Sequence, residues 1–121
     1  MADLTKAWLG SDYANRTPAR VEVPFETTIA GILVRGRIDA VYATADGFEV
    51  VDWKTGSSKL DASAAVQLAM YRLAWAKLSG TDISKISAAF HYVPTSVTDR
   101  PADLLDEAGL TALVQLAYSS N

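Results

Sequence analysis

Asp39, Asp52 and Lys54 are the residues of this chain whose types and spacing point to chemistry. They lie in Gly36-Arg37-Ile38-Asp39-Ala40-Val41 and in Val50-Val51-Asp52-Trp53-Lys54-Thr55-Gly56. An aspartate followed one hairpin later by Asp-x-Lys is a layout for metal-assisted phosphodiester hydrolysis. Two carboxylates supply hard oxygen ligands for Mg²⁺ or Mn²⁺. A lysine beside them positions water or offsets charge on the scissile phosphate. All of this requires the three side chains to meet on one face.

Strand parity tests that requirement. Residues 32–42 and 48–54 read as strands, rich in Val, Ile, Tyr and Phe and bounded by turn signals. With Asp46-Gly47 as a two-residue loop, Asp39 falls opposite Lys54. With Thr44 to Gly47 as a four-residue loop, it falls opposite Asp52. Paired residues share a face and faces alternate with period two, so either loop puts Asp39, Asp52 and Lys54 together. An odd slip or an uncompensated bulge would separate them. One strand earlier, Ala30-Gly31 closes a hairpin between roughly 21–29 and 32–42, pairing Ile29 with Ile32 and Glu22 with Asp39. Alanine is a poor residue for the φ > 0 that such a turn needs. Pro24, which donates no ladder hydrogen bond, puts this first strand at a sheet edge or starts it there. The expected cluster is Glu22, Asp39, Asp52 and Lys54. Charges on a strand face usually mean a solvated surface with a weak ion pair. Here three acids converge beside one lysine, and the strand around Asp52 is apolar on both faces (Phe48, Val50, Val51, Trp53). Carboxylates in such a setting are costly unless a cation relieves them.

The remaining elements must position this cluster. Residues 3–14 read as a short helix and Ser11 to Arg20, with Pro18, as a connector. Thr55 to Asp61 is a Gly/Ser/Lys loop whose Asp61, or Ser63 beyond it, caps an Ala-rich helix over 62–79 that Gly80 ends. Residues 85–93 form a fourth strand ended by Pro94. A last helix covers 101–118, with Pro101 in its first turn and Thr98 or Asp99 as cap. The order α-β-β-β-α-β-α gives an α/β (α+β) domain with a central sheet of about four strands. On the long helix Gln67 and Tyr71 share a face. There they either pack or orient a phosphate, a base or the attacking water. His91, the only histidine, reads as a structural strand residue, and Trp8, Trp53 and Trp75 as packing residues. Walker-type loops, paired-histidine zinc signatures and serine elbows are absent from the sequence.

The chain has 121 residues, half of them hydrophobic, and no cysteine. That size suits one domain over residues 1–121. Disulfides and thiolate metal sites are excluded, and a reducing cytoplasm is the expected compartment. No apolar run is long enough to span a bilayer. The formal charge of −3 argues against a general nucleic-acid-coating protein. It is compatible with a nuclease whose acidic site cations neutralise. Arg16, Arg20, Arg35 and Arg37 lie near the cluster in sequence, as phosphate contacts or as solubility charges.

Taken in order, Val21-Glu22-Val23-Pro24-Phe25, Gly36-Arg37-Ile38-Asp39-Ala40-Val41, Val50-Val51-Asp52-Trp53-Lys54-Thr55-Gly56 and Gln67-Leu68-Ala69-Met70-Tyr71 resemble the RecB-type nuclease domain of the PD-(D/E)xK superfamily. The flavour is similar to the C-terminal domain of UvrD-like or AdnB-like helicase–nucleases. The resemblance covers residues 21–71. It implies a restriction-endonuclease-like core, a mixed sheet flanked by helices. It also implies Mg²⁺ or Mn²⁺ on Asp39, Asp52 and the backbone carbonyl of Trp53, with Lys54 activating water and stabilising the phosphorane. Glu22 would be an accessory acid, and Gln67 and Tyr71 would contact substrate; Arg37, next to the motif in sequence, is a further substrate-binding candidate. The implied activity is exonuclease-type hydrolysis of DNA, coupled to a helicase motor in recombination and repair. One departure stands out: the family pattern carries a histidine ligand ahead of the first strand, and no histidine precedes His91 here. The expectation is that this chain is a fragment of a larger helicase–nuclease.

Overall fold

The computed structural model describes residues 13–55 and 62–119, together with Leu9. One mixed sheet runs in the order β1 (Arg20–Ile29), β2 (Ile32–Ala43), β3 (Phe48–Lys54), β4 (Ile86–Tyr92), β5 (Val97–Asp99). Helix α1 (Ala62–Ser79) crosses from β3 to β4, and α2 (Glu107–Ser119) follows β5. The β3–β4 pair is parallel and the other pairs are antiparallel. This is the α+β, mixed-sheet architecture expected from the sequence, with one strand more. Among the described residues no helix is long and apolar enough to cross a membrane.

Both hairpins form, for different physical reasons. Ile29 pairs with Ile32, and the turn between them holds Ala30 at φ 52° and Gly31 at φ 80°. A two-residue turn demands that left-handed pair, and Ala30 accepts it at a cost of about 1 kcal/mol. Between β2 and β3 the four-residue loop is the one adopted, since Ala43 pairs with Phe48. Thr44 braces it: its N–H donates to the Gly47 carbonyl at 2.9 Å, and its Oγ1 accepts the Gly47 N–H at 3.0 Å. Gly47 is not in the left-handed region. It is required because a Cβ there would run into the Lys85 backbone carbonyl.

The main core lies between the sheet and α1. Leu68, Ala74 and Trp75 pack on Val23, Phe25, Ile38, Val41, Val50 and Phe90. Leu110 of α2 extends it toward Ile29, Ala69 and Leu73. A smaller cluster of Tyr13, Ala40, Tyr42 and Val51, with Trp53, covers the reverse face. β3 is therefore buried on both sides, which is why its sequence is apolar nearly throughout.

The last helix departs from expectation. Thr98 and Asp99 are strand residues, paired with His91 and Phe90, so neither caps a helix. The helix starts at Glu107, where Asp106 Oδ1 accepts the Gly109 N–H at 2.9 Å as an N-cap. Edge pairing consumes 97–99 and delays the helix past Pro101. The predicted helix over 3–14, Trp8 within it and the Asp61 cap fall outside the described residues, Leu9 and residues 13–14 excepted. Ser63 lies inside α1 rather than ahead of it.

Candidate active site

β3 sets the geometry by alternation. Phe48 and Val50 face α1, whereas Glu49, Val51 and Trp53 face the reverse side. Asp52 and Lys54 therefore emerge on the α1 side. Lys54 Nζ lies 3.0 Å from Asp52 Oδ2 and 5.7 Å from the centroid of the Phe90 ring. Asp52 is only 8% exposed.

Asp39 sits where the sheet opens. The β2–β3 ladder runs from Ala43–Phe48 to Ala40–Val51 and stops. The next residue in register opposite Asp52 is Asp39, and its Oδ2 accepts the Trp53 N–H at 2.9 Å. The carboxylate takes the place of a strand carbonyl just as the two strands part. β2 changes face here: Ile38 belongs to the α1-side core and Ala40 to the reverse cluster. β1 changes face at the same level, with Val23 in the α1-side core, Val21 on the reverse side and Glu22 between them at φ 47°. Because both strands slip together, their pairing is kept on either side of the kink. This is a compensated bulge, and the Asp39 carboxyl still lies close enough to help hold the Asp52 carboxyl on its proton.

The electrostatics follow from that closeness. Burial, then the contact with Asp39, push the Asp52 carboxyl up from 3.8 to about 6, against the opposing pull of Lys54. The Lys54 ammonium is in turn held on its proton chiefly by Asp52. A cation between two such crowded carboxyls would relieve the repulsion that holds one of them on its proton. Hard oxygens on adjacent strands, next to the Trp53 carbonyl, suit Mg²⁺ or Mn²⁺. Among the described residues no third histidine, aspartate or glutamate joins them.

The other expected residues divide. On α1, Gln67 Nε2 donates to the Tyr71 hydroxyl at 2.8 Å. Burial, then the fields of Asp52 and Asp39, raise the Tyr71 phenol above its usual value, so it stays protonated beside the cluster. The Tyr71 ring meets Phe25 edge-on at 5.6 Å, and Gly36 lies under both: a Cβ there would sit 2.7 Å from the Phe25 ring and 3.3 Å from Tyr71. Glu22 keeps its register opposite Asp39 but is exposed and makes no hydrogen bond or ion pair with a described residue. Arg37 pairs with Pro24 next to Gly36 and is exposed on the face away from α1, apart from Lys54. The Trp53 side chain also points to that reverse face; only its backbone belongs to the site.

A family model described as the PD-(D/E)XK nuclease superfamily matches residues 1–116. The chain belongs to the PD-(D/E)XK nuclease superfamily. Within it, Asp52-Trp53-Lys54 has the (D/E)XK form. The chain is 42% identical over 74 residues to the gene 69 protein of Mycobacterium phage D29, a match covering 61% of this chain and 26% of the phage protein. The solved structure of SSO0001 aligns with 99% of this chain and 57% of its own, at a TM-score of 0.52 and 19% identity, a likeness of fold alone. The match thus spans about a quarter of the phage relative and little more than half of SSO0001.

One set of site-supporting residues has no local sequence signal. Glu49, three positions before Asp52 on the reverse side of β3, is 5% exposed. It accepts from the Tyr13 hydroxyl at 2.8 Å and Arg100 Nε at 2.8 Å, with Arg16 at 3.8 Å. Its hydrogen-bond partners are 36 and 51 residues away, beyond any periodicity or motif.

Proposed function

We propose that this domain is a divalent-metal-dependent deoxyribonuclease of the exonuclease type, using Mg²⁺ or Mn²⁺ and coupled to a DNA helicase in recombination or repair. The observation that carries the reading is the buried Asp52, pressed against Asp39 and held 3.0 Å from Lys54. Helicase coupling rests on the order of the motifs alone. The cysteine-free composition suits a cytoplasmic setting.

Asp39 and Asp52, with the Trp53 carbonyl, would hold the cation. When bound, such an ion supplies Lewis acidity at the phosphate and a more acidic attacking water. Asp39 is fixed for this by the Trp53 N–H, which leaves its other oxygen lone pairs for ligation. Lys54, kept protonated by Asp52, directs its ammonium toward the same space, where it orients the nucleophile and offsets charge gathering on the phosphate oxygens. Tyr71 and Gln67, tied to each other, present a hydroxyl and an amide from α1 to the substrate backbone. Glu22, exposed on β1 and outside the pair of metal-holding carboxylates, would act only as an accessory acid.

End-labelled linear DNA incubated with Mn²⁺, comparing the parent with Asp52→Ala, tests the reading. Cleavage by the parent alone is expected. Millimolar Mn²⁺ should also raise the melting temperature of the parent but not of Asp52→Ala, because a ligand confined to the folded state stabilises it. DNA binding that ignores metal, without cleavage, would make the domain a non-catalytic binding or docking module on the same fold.

A further inference from the structure

The sheet face turned away from α1 has ligand-binding character of its own. A groove of about 480 Å³ is lined by Tyr13, Arg16, Val21, Tyr42, Trp53 and Val93, among others. Val21 stands 56% exposed at its rim, an unusual state for a strand valine with a ladder partner. The Arg16 guanidinium lies 4.6 Å from the Tyr42 ring centroid and 5.5 Å from that of Tyr13. Three residues along β2 from Ala40, roughly 10 Å at strand rise, Arg37 stands on the same face with no ion pair among the described residues. Arg35 and Arg100 are also here. Their acidic partners are Glu26, bound to Arg35, and Glu49, bound to Arg100 and Arg16. Four arginines against two glutamates leave a positive surplus on this face, in a chain whose formal charge is −3.

We infer that this reverse face is a second binding site, separate from the Asp39–Asp52–Lys54 cluster, for single-stranded nucleic acid. An unpaired base enters the groove, and the flanking phosphates lie on Arg16 and Arg37. Tyr13 and Tyr42 are buried and floor the groove, so the apolar wall open to a base is Val21, Trp53 and Val93; with arginines at the rim, this matches a polyanion that carries flat, apolar bases. A duplex keeps its bases stacked inside and has none to offer. Trp53 links the two faces: its side chain lines the groove while its backbone N–H holds Asp39. A strand seated here passes one residue from the acidic cluster, yet its binding requires neither the metal nor cleavage.

The test uses the parent chain in EDTA, a short labelled single-stranded oligonucleotide with one 2-aminopurine, and a salt series. Binding by two phosphate contacts gives a slope of log K against log salt of about −1.4, and Arg37→Ala should reduce its magnitude by about 0.7. Val21→Asp, at an exposed position, should weaken binding by about fivefold or more and abolish the 2-aminopurine fluorescence change. An abasic oligonucleotide should bind the parent more weakly than an intact one, and bind Val21→Asp equally. Circular dichroism checks each fold, and Arg37→Ala stands alone if the Val21 variant fails it. The inference is overturned if the parent does not bind in EDTA. It is also overturned if folded Val21→Asp and Arg37→Ala bind like the parent, or if only Lys54→Ala loses binding; the groove would then fit an apolar side chain of a protein partner. Metal-dependent cleavage surviving any of these results would leave the nuclease reading intact.

Discussion

β3 carries two buried acids three residues apart, and they have opposite fates. Glu49, on the reverse face, is enclosed by the Tyr13 hydroxyl and two arginines. Asp52, facing α1, has one lysine and a second carboxyl that works against it. The first is a satisfied ion cluster that pins two distant parts of the chain, the 13–16 segment and Arg100, onto the strand. The Tyr13 phenol, driven far up by burial and then by Glu49, stays a donor at any ordinary pH. The second is a site kept short of positive charge. A buried carboxylate with its hydrogen bonds filled is structural, and one left underpaired near another is a place for an external cation.

The largest effect expected from this contrast is on cleavage. Asp52→Ala and Lys54→Ala should each reduce DNA hydrolysis by about 10²-fold or more while urea unfolding still shows a cooperative domain. Glu49→Ala should do the reverse. It strands a buried tyrosine hydroxyl and two arginines, and should destabilise the domain by about 3 kcal/mol, within the range for breaking a buried pair. Unfolding in urea measures that loss; equal stability of parent and variant would dissolve the distinction between the two acids.

pH separates them further. Asp52 has a folded value of about 6 against 3.8 when free. Between those values the unfolded chain has already lost the proton that the folded chain keeps, so stability falls as pH rises through this window. The loss is at most about 3 kcal/mol and complete above about pH 6. In EDTA the parent should therefore be more stable near pH 4 than at pH 7, and Asp52→Asn should flatten the profile and be the more stable protein at pH 7. Added Mn²⁺ should recover stability at pH 7 in the parent only. The smallest of the four effects is steric. Gly36→Ala pushes a methyl against Phe25 and Tyr71 and should cost about 1–3 kcal/mol, with Tyr71 displaced from Gln67. A fully active, equally stable Gly36→Ala would show that this packing does not position the helix motif.

How far the sequence reached can be judged residue by residue. The shared side of Asp52 and Lys54, the β3 and α1 limits and the Ile29–Ile32 pairing were all legible, because side-chain parity and turn chemistry are local properties. Two loops between β2 and β3 were equally consistent with parity. The choice fell to the Thr44–Gly47 brace and to the Lys85 carbonyl packed over Gly47, a contact from a distant part of the chain. The twin kink at Glu22 and Asp39 was not legible, since only the joint packing of β1 and β2 against α1 and Tyr13 rotates both strands at one level. Nor was the placement of Arg37 behind the sheet, which follows from Gly36 facing Tyr71. The sequence by itself determined which groups are available to chemistry and that Asp52 and Lys54 share one side of β3, because an unkinked pleated strand has only two sides. Tertiary structure decided which acid is satisfied and which is left underpaired, because hydrogen-bond partners and desolvation come from elements far apart along the chain.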